Sequence, residues 1–360
     1  MEVRIVKKIA FIRTQFLPIT ETFIYEELIN IKQFSPIVIT EKELNAHLFP
    51  YKHIIKVSHL EDELPSILQK ENIKLLHVRF GTTAIRLIKL LKEINIPTIT
   101  SFHGYDVPDP EKKTPYHVQL KSLFQVGDCF TATSCYMKNK LIALGCPPNK
   151  IHVQKSGIDL NKFQYRKPRI PLEGEKVQIL SVGRFVEKKG FQYLLKAFSK
   201  VQKKYPVKLT LIGDGPRRKE IIRIVKKHKM KKSVQIKDPL PHKEIVKEMA
   251  RAHIFCLPSV TEKNGNQEGI PNVLKEAMAI GVPIVTTEHA GIPELIEHKV
   301  HGYLVHERDV RGLVHGLVRI IDDSHSWEKM TLRARKKIEK SYNSTIQVKQ
   351  LENLYTSLID

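Results

Sequence analysis

Gln267-Glu268-Gly269-Ile270-Pro271-Asn272-Val273-Leu274-Lys275-Glu276-Ala277-Met278 reads as a loop feeding a helix. Pro271 suits a helix start, where the N–H it lacks has no intrahelical partner, and residues 272–279 are mostly good helix formers. Gly269 removes a side chain just ahead of the turn. A helix N-terminus with bare amides attracts anions, and the flanking carboxylates Glu268 and Glu276 can accept hydrogen bonds from hydroxyls. Phosphate plus polyol is the ligand chemistry such a run suits.

Working outward, the same change from an apolar, β-branched run to an amphipathic helix recurs along the chain. Strands are expected at 8–12, 36–40, 74–80, 98–102, 129–133 and 151–154, with helices at 22–31, 61–70, 83–94 and 136–144 between them. A polar stretch at 161–175, holding Pro168, Pro171 and Gly174, reads as an interdomain linker. The pattern then restarts, with strands at 177–182, 208–212, 234–236, 254–257, 283–286 and 303–305. Its helices are expected at 191–204, 217–229, 243–252, 272–279, 310–322 and 326–340. Alternation of this kind predicts an α/β architecture of two doubly wound, Rossmann-like domains with parallel sheets. Ligands in such sheets bind beyond the carboxyl ends of the strands, so two facing domains would share a cleft.

Composition narrows the function classes. A chain of 360 residues is long for one hydrophobic core, and 41% hydrophobic content suffices for two. No apolar run reaches the ~18 residues of a membrane span, and the first residues lack the apolar core of a secretory signal, so a cytoplasmic protein is expected. Cys129, Cys135, Cys146 and Cys256 fit no zinc or redox spacing and are expected as buried, reduced thiols. The net charge of +22 is spread over both halves, which favours phosphate-bearing ligands or an anionic membrane surface. The densest basic run, 226–232, contains no aromatic residue for base stacking and reads as a solvated helix end, so nucleic acid is not an expected partner.

Chemistry is then to be sought on the strand-end loops. Gly183-Arg184-Phe185-Val186-Glu187-Lys188-Lys189-Gly190 puts Arg184 and Lys189 between a strand and a helix, where two cations can neutralise a diphosphate. Leu211-Ile212-Gly213-Asp214-Gly215-Pro216 supplies a tight turn through Gly213 and Gly215. With Leu257-Pro258-Ser259, the run from Glu268 to Ala277, Ala290-Gly291-Ile292-Pro293-Glu294 and Gly302-Tyr303-Leu304-Val305, this ordered set resembles glycosyltransferase family 4 over essentially the whole chain. In the N-terminal half, Leu17-Pro18-Ile19-Thr20-Glu21-Thr22-Phe23-Ile24, His77-Val78-Arg79-Phe80-Gly81 and Ser101-Phe102-His103-Gly104-Tyr105-Asp106 are similar to its exopolysaccharide and colanic-acid branch.

The resemblance implies a retaining GT-B enzyme that uses a nucleotide-diphospho-sugar, UDP rather than GDP, and transfers a hexose to a saccharide or polyprenyl-linked saccharide acceptor. It implies an acceptor domain at 1–165, a nucleotide-sugar domain at 166–343, and a helix at 344–360 crossing back to the first domain. On the donor side it points to Gly183, Arg184, Lys189, Gly213, Gly215, Glu268, Gly269, Ile270, Pro271, Asn272, Val273 and Glu276. Within that set Arg184 and Lys189 would hold the diphosphate, Glu276 the ribose hydroxyls, and Glu268 the transferred sugar. Thr20, Glu21, Arg79, His103 and Asp106 are the expected acceptor-side residues. His103 is expected to contact sugar or acceptor, either as a base, since imidazole titrates near neutrality, or as a positioning group.

Arg79 stands where the family often has a second histidine, and it suggests either an anionic acceptor or a surface salt bridge. No carboxylate pair or His/Cys set carries metal-ligand spacing, so no metal or other cofactor is expected. The polar loop 261–267 is expected to set sugar specificity, and peripheral contact with the inner membrane face fits the basic charge. Two other classes stay open from sequence: a sugar-nucleotide epimerase on the same fold, and a non-catalytic protein that binds anionic ligands.

Overall fold

A computed structural model describes residues 6–112 and 114–360, with the side chain of Thr20 outside the described set. The chain forms two compact units: the first uses the chain up to Asp159 together with Ser341–Asp360, and the second is Leu160–Lys340.

The first unit is built on a seven-stranded sheet in the order Ile54–Lys56, Ser35–Thr40, Lys8–Ile12, Leu75–Arg79, Thr98–Phe102, Cys129–Ala132 and Ile151–Val153. All of its pairings are parallel. The inner strands Leu75–Arg79 and Thr98–Phe102 are buried at every position, as a sheet covered on both faces requires. One face packs on Leu60–Lys70 and Pro115–Val126 through Leu64, Leu68, Leu120 and Phe124. The other packs on Thr22–Asn30 and Ser344–Ile359 through Ile24, Leu28, Leu351 and Tyr355. Strand order reverses between Lys8–Ile12 and Leu75–Arg79, the switch point where such sheets bind ligands.

The second unit has a six-stranded sheet in the order Val234–Lys237, Val207–Ile212, Val177–Val182, Ile254–Leu257, Ile284–Thr287 and Tyr303–Val305, again parallel throughout. Its switch point lies between Val177–Val182 and Ile254–Leu257. Residues at the start of the polar stretch are tied to this unit: Phe163 is buried, Arg166 N–H donates to Ile280 O at 2.8 Å, and Arg335 donates to Ala279 O at 2.9 Å and to Phe163 O.

The expected elements are present, and beyond short additions such as the paired strands Gln15–Phe16 and Lys42–Glu43 and the helix Ile292–Leu295, three differences stand out. The single helix expected over 83–94 is split into Gly81–Arg86 and Ile88–Glu93, because Leu87 leaves helical geometry (φ −94°, ψ 4°) and its N–H bonds back to Ala84 O. Pro115–Val126 is a helix where none was expected: Pro115 begins it rather than breaking it, and Thr114 forms a capping box with His117. Ile54–Lys56 is a short edge strand with too few residues to show a period. Cys129, Cys146 and Cys256 are buried free thiols, whereas Cys135, expected inside, is exposed at a helix start.

Candidate active site

In the first unit, the loops leaving the sheet at its switch point gather a cationic and aromatic cluster. Arg13 follows Lys8–Ile12 and donates to Glu21 through Nη2 at 2.6 Å and Nε at 3.2 Å, with both side chains nearly buried. Its guanidinium lies 4.1 Å from the centre of the Phe80 ring. His103 follows Thr98–Phe102 and packs against Phe80 and Phe23, with ring centroids 4.7 and 5.1 Å away. Both of its ring nitrogens are enclosed and have no hydrogen-bond partner among the described residues. Burial first, and then the nearby Arg79, His77 and Arg13, hold its pKa well below the ordinary histidine value, so the ring is neutral at pH 7. In this environment the ring is a neutral hydrogen-bonding group.

Arg79 and Asp106, expected on the acceptor side, are turned inward. Arg79 is 1% exposed, pairs with Glu27 and lies 3.3 Å from His77 Nε2. Asp106 is fully buried; one oxygen accepts from the amides of His103 and Gly104 at 3.0 and 2.9 Å, and the other from Gly81 N–H at 2.9 Å. It orients His103 through the main chain. Glu21 is engaged by Arg13, and Thr20 lies outside the described side chains.

In the second unit the residues expected on the donor side fall on loops at the carboxyl ends of the strands, except Asn272, Val273 and Glu276, which lie on the helix Asn272–Ile280. Gly190 adopts φ +65°, and an added Cβ would stand 1.8 Å from Pro258 O, so only glycine closes the turn after Lys189. Gly213 is packed as tightly, with a would-be Cβ 2.0 Å from Gly183 O, and the backbone of Phe185 crowds Gly215 in the same way. In both cases the close approach is made by the neighbouring loop. The Lys189 stem passes over Gly183, and its Nζ lies 3.2 Å from Glu268 Oε1, with Lys188 Nζ at 3.6 Å from the same oxygen. Burial would raise the Glu268 pKa, but Lys189 and Lys188 outweigh it and hold the group below the ordinary glutamate value. Arg184 is exposed and pairs with no carboxylate among the described residues.

Helix Asn272–Ile280 starts directly after Pro271 and presents its first-turn amides behind Gly269 and Ile270. Glu276 is 7% exposed; Oε1 lies 3.5 Å from His242 Nε2, and Oε2 is enclosed without a donor among the described residues. An enclosed carboxylate oxygen with an unused lone pair suits a ligand hydroxyl.

Three contributors had no place in the sequence reading. Lys188 was passed over beside Lys189. Arg13 follows an apolar strand with no motif around it. His289 is fully buried and accepts from Glu268 N–H at 3.0 Å, while its Nδ1 meets Glu307 Oε1 at 2.5 Å. Its position just ahead of Ala290-Gly291-Ile292-Pro293-Glu294 was the one available cue. Among the described residues, no group of three or more His, Cys, Asp or Glu side chains could hold a metal ion, and no helix is long and apolar enough to cross a membrane.

Comparison with known proteins shows the family and the fold. Residues 163–337 match the family described as glycosyl transferases group 1, and residues 38–162 match glycosyltransferase family 4. The chain is 33% identical to the amylovoran biosynthesis glycosyltransferase AmsK of Erwinia amylovora, covering 80% of this chain and 70% of the relative. It is 32% identical to the putative colanic acid biosynthesis glycosyltransferase WcaL of Escherichia coli strain K12, covering 78% and 69%. Among solved structures, Anabaena Alr3699/HepE in complex with UDP and glucose superposes with a TM-score of 0.81 at 17% identity, covering 98% of this chain and 100% of that one. A glycosyltransferase from Rickettsia africae ESF-5 gives 0.83 at 17% identity, covering 99% of each chain. Two Rossmann-like units with these loops and these relatives make the chain a glycosyltransferase of the GT-B fold, belonging to the group 1 and family 4 glycosyltransferases.

Proposed function

We propose that this enzyme moves a hexose-type sugar from a UDP-sugar, with retention at the anomeric carbon, to a saccharide or polyprenyl-linked saccharide in exopolysaccharide assembly. The observation that carries the reading is the second unit's arrangement of Lys188 and Lys189 against Glu268, with Glu276 Oε2 enclosed and unbonded on the following helix. Relatives named for amylovoran and colanic acid biosynthesis support the pathway class, and a similar fold titled as a complex with UDP-glucose supports the donor.

The second unit takes the donor. Glu276 accepts from ribose hydroxyls, while Lys188, Lys189 and Arg184, with the amides from Gly269 to Val273, meet the diphosphate. As the bond from the anomeric carbon to the diphosphate oxygen breaks, negative charge grows on that oxygen, and fixed cations there stabilise the transition state more than the ground state. The acceptor hydroxyl forms its new bond on the same face of the sugar, and its proton passes to the departing phosphate oxygen. Glu268, held ionised by its lysines, accepts from hydroxyls of the transferred sugar. The first unit takes the acceptor, where neutral His103 serves as a hydrogen-bonding group. The basic excess of +22 favours docking on an anionic membrane surface at the inner face of the cell membrane, where a polyprenyl-linked acceptor would lie.

A panel of UDP- and GDP-sugars, each offered with saccharide and lipid-linked acceptors, tests this by nucleotide release. Turnover is expected with a UDP-hexose, and Glu276→Ala and Lys189→Ala should each lower kcat/KM by about 10²-fold or more. Wild-type rates in both variants would overturn the site assignment.

A further inference from the structure

The geometry points to His289 as a positioning residue that, together with Glu307, sets where Glu268 stands and so shapes the subsite for the transferred sugar. The inference rests on the proposed function, because it gives meaning to the carboxylate that His289 holds.

His289 is fully buried two residues beyond the end of Ile284–Thr287, and its backbone is fixed on both sides: its N–H donates to Thr287 O at 2.8 Å and its O accepts from Ile292 N–H at 2.9 Å. Its ring nitrogens do opposite jobs. Nε2 accepts the main-chain N–H of Glu268 at 3.0 Å, so the ring proton sits on Nδ1, which donates to Glu307 Oε1 at 2.5 Å. Glu307 also accepts from Thr261 N–H at 2.8 Å and from Thr261 Oγ1 at 3.1 Å, and Arg308 flanks it at 3.3 Å. Gln267 donates to Thr261 Oγ1 at 3.0 Å, which closes the polar loop onto the same anchor.

The contacts form a ring rather than a chain. Glu262, next to Thr261, accepts from Lys188 N–H at 3.2 Å and from Asn266 at 2.7 Å, and Lys188 Nζ returns to Glu268 at 3.6 Å. Four segments, carrying Lys188, the loop from Thr261 to Glu268, His289 and Glu307, thus hold the Glu268 carboxylate in place. A buried imidazole bonded on both nitrogens cannot turn without leaving a polar group unpaired, so it transmits position rather than charge. Displacing a substrate-positioning carboxylate by about 1 Å lowers turnover by ~10²-fold.

Two near-isosteric variants separate the jobs. In His289→Gln the amide oxygen reaches the place of Nε2 and keeps the acceptor for Glu268 N–H. In His289→Asn the amide reaches only the place of Nδ1, keeping the bond to Glu307 and losing Glu268. With the donor and acceptor identified by the panel, His289→Asn should lower kcat by about 50-fold or more, while His289→Gln stays within about fivefold of wild type. Affinity for UDP alone should stay within about twofold in both, since Arg184 and Glu276, proposed to hold the nucleotide, lie outside this ring of contacts. Glu307→Gln, one bond further away, should lower kcat by a smaller factor, about fivefold, again at unchanged UDP affinity.

Wild-type kcat in His289→Asn would overturn the inference. So would a parallel loss of UDP affinity, kcat and melting temperature in both histidine variants, which would mark His289 as fold support alone. A wild-type enzyme that turns over no sugar nucleotide would instead overturn the proposed function, and the inference with it.

Discussion

Arg79 shows how a single side chain changes meaning once its surroundings are known. In sequence it is a cation at the end of a strand, open to an acceptor. In the fold it is 1% exposed and compensates Glu27, whose pKa burial raises above the usual glutamate range even against the attraction of Arg79. Arg79→Met would leave that carboxylate unpaired inside the unit and should cost about 3–5 kcal/mol in urea unfolding, the usual loss on breaking a buried pair. Gly190→Ala should also act on folding, by 2 kcal/mol or more on the scale of roughly 0.5–3 for ordinary substitutions, because φ +65° and a Cβ 1.8 Å from Pro258 O leave no relaxed alternative. The second unit's strand-end loops, expected on the donor side, were more legible than the residues expected on the acceptor side, for a physical reason. Arg184, Lys189, Glu268 and Glu276 lie on loop-to-helix junctions with a local pattern, whereas the partners of Arg79, Asp106 and His289 come from distant segments that no local pattern records.

The helix Ser344–Ile359 illustrates the same division among elements. Its apolar spacing was readable, and Val348, Leu351 and Tyr355 are buried against the first sheet. What spacing could not show is its polar work. Glu352 Oε1 accepts the amides of Lys32 and Gln33 at 2.6 and 2.7 Å, just beyond the end of Thr22–Asn30, and Tyr355 OH meets His77 Nδ1 at 2.6 Å. Glu352→Ala should destabilise the first unit by about 2–3 kcal/mol by stranding two amides, and a urea titration of the protein reads this as an earlier first transition. Removing residues 344–360 should abolish folding of that unit altogether; a soluble, active truncated chain would refute it. Helix Pro115–Val126 escaped the sequence reading because Pro115 follows Pro108 and Pro110, a cluster that reads as loop until the cap at Thr114 is seen.

For the molecule as a whole, each unit buries a histidine in its neutral form. Burial first, and then Arg79, holds His77 well below its ordinary value; burial, then Arg169, pushes His253 down to about 4. In the unfolded chain both titrate near 6.5, so below that pH the unfolded state binds more protons and stability falls as pH drops toward the folded values. Each such histidine should cost its unit about 1.4 kcal/mol per pH unit between pH 6.5 and 5, so the first unit, with His77 and His103, should fall more steeply than the second, read from urea midpoints at pH 7 and 5. His77→Gln should reduce the slope of the first unit without abolishing it, because His103 titrates in the same sense, and should leave the second unit unchanged. The alternation of strands and helices, and with it the two-sheet plan, was readable because burial on both faces of a parallel sheet leaves long apolar runs.

The first unit is interrupted in sequence, its closing helix separated from the rest by the entire second unit. During synthesis, Leu160–Lys340 can therefore complete its own core while the earlier-made unit still lacks the helix that covers one face of its sheet and caps its amides. For that interval the apolar surface around Ile24 and Leu28 that Val348, Leu351 and Tyr355 will cover stays open to water, so the older half of the nascent chain is the last to close.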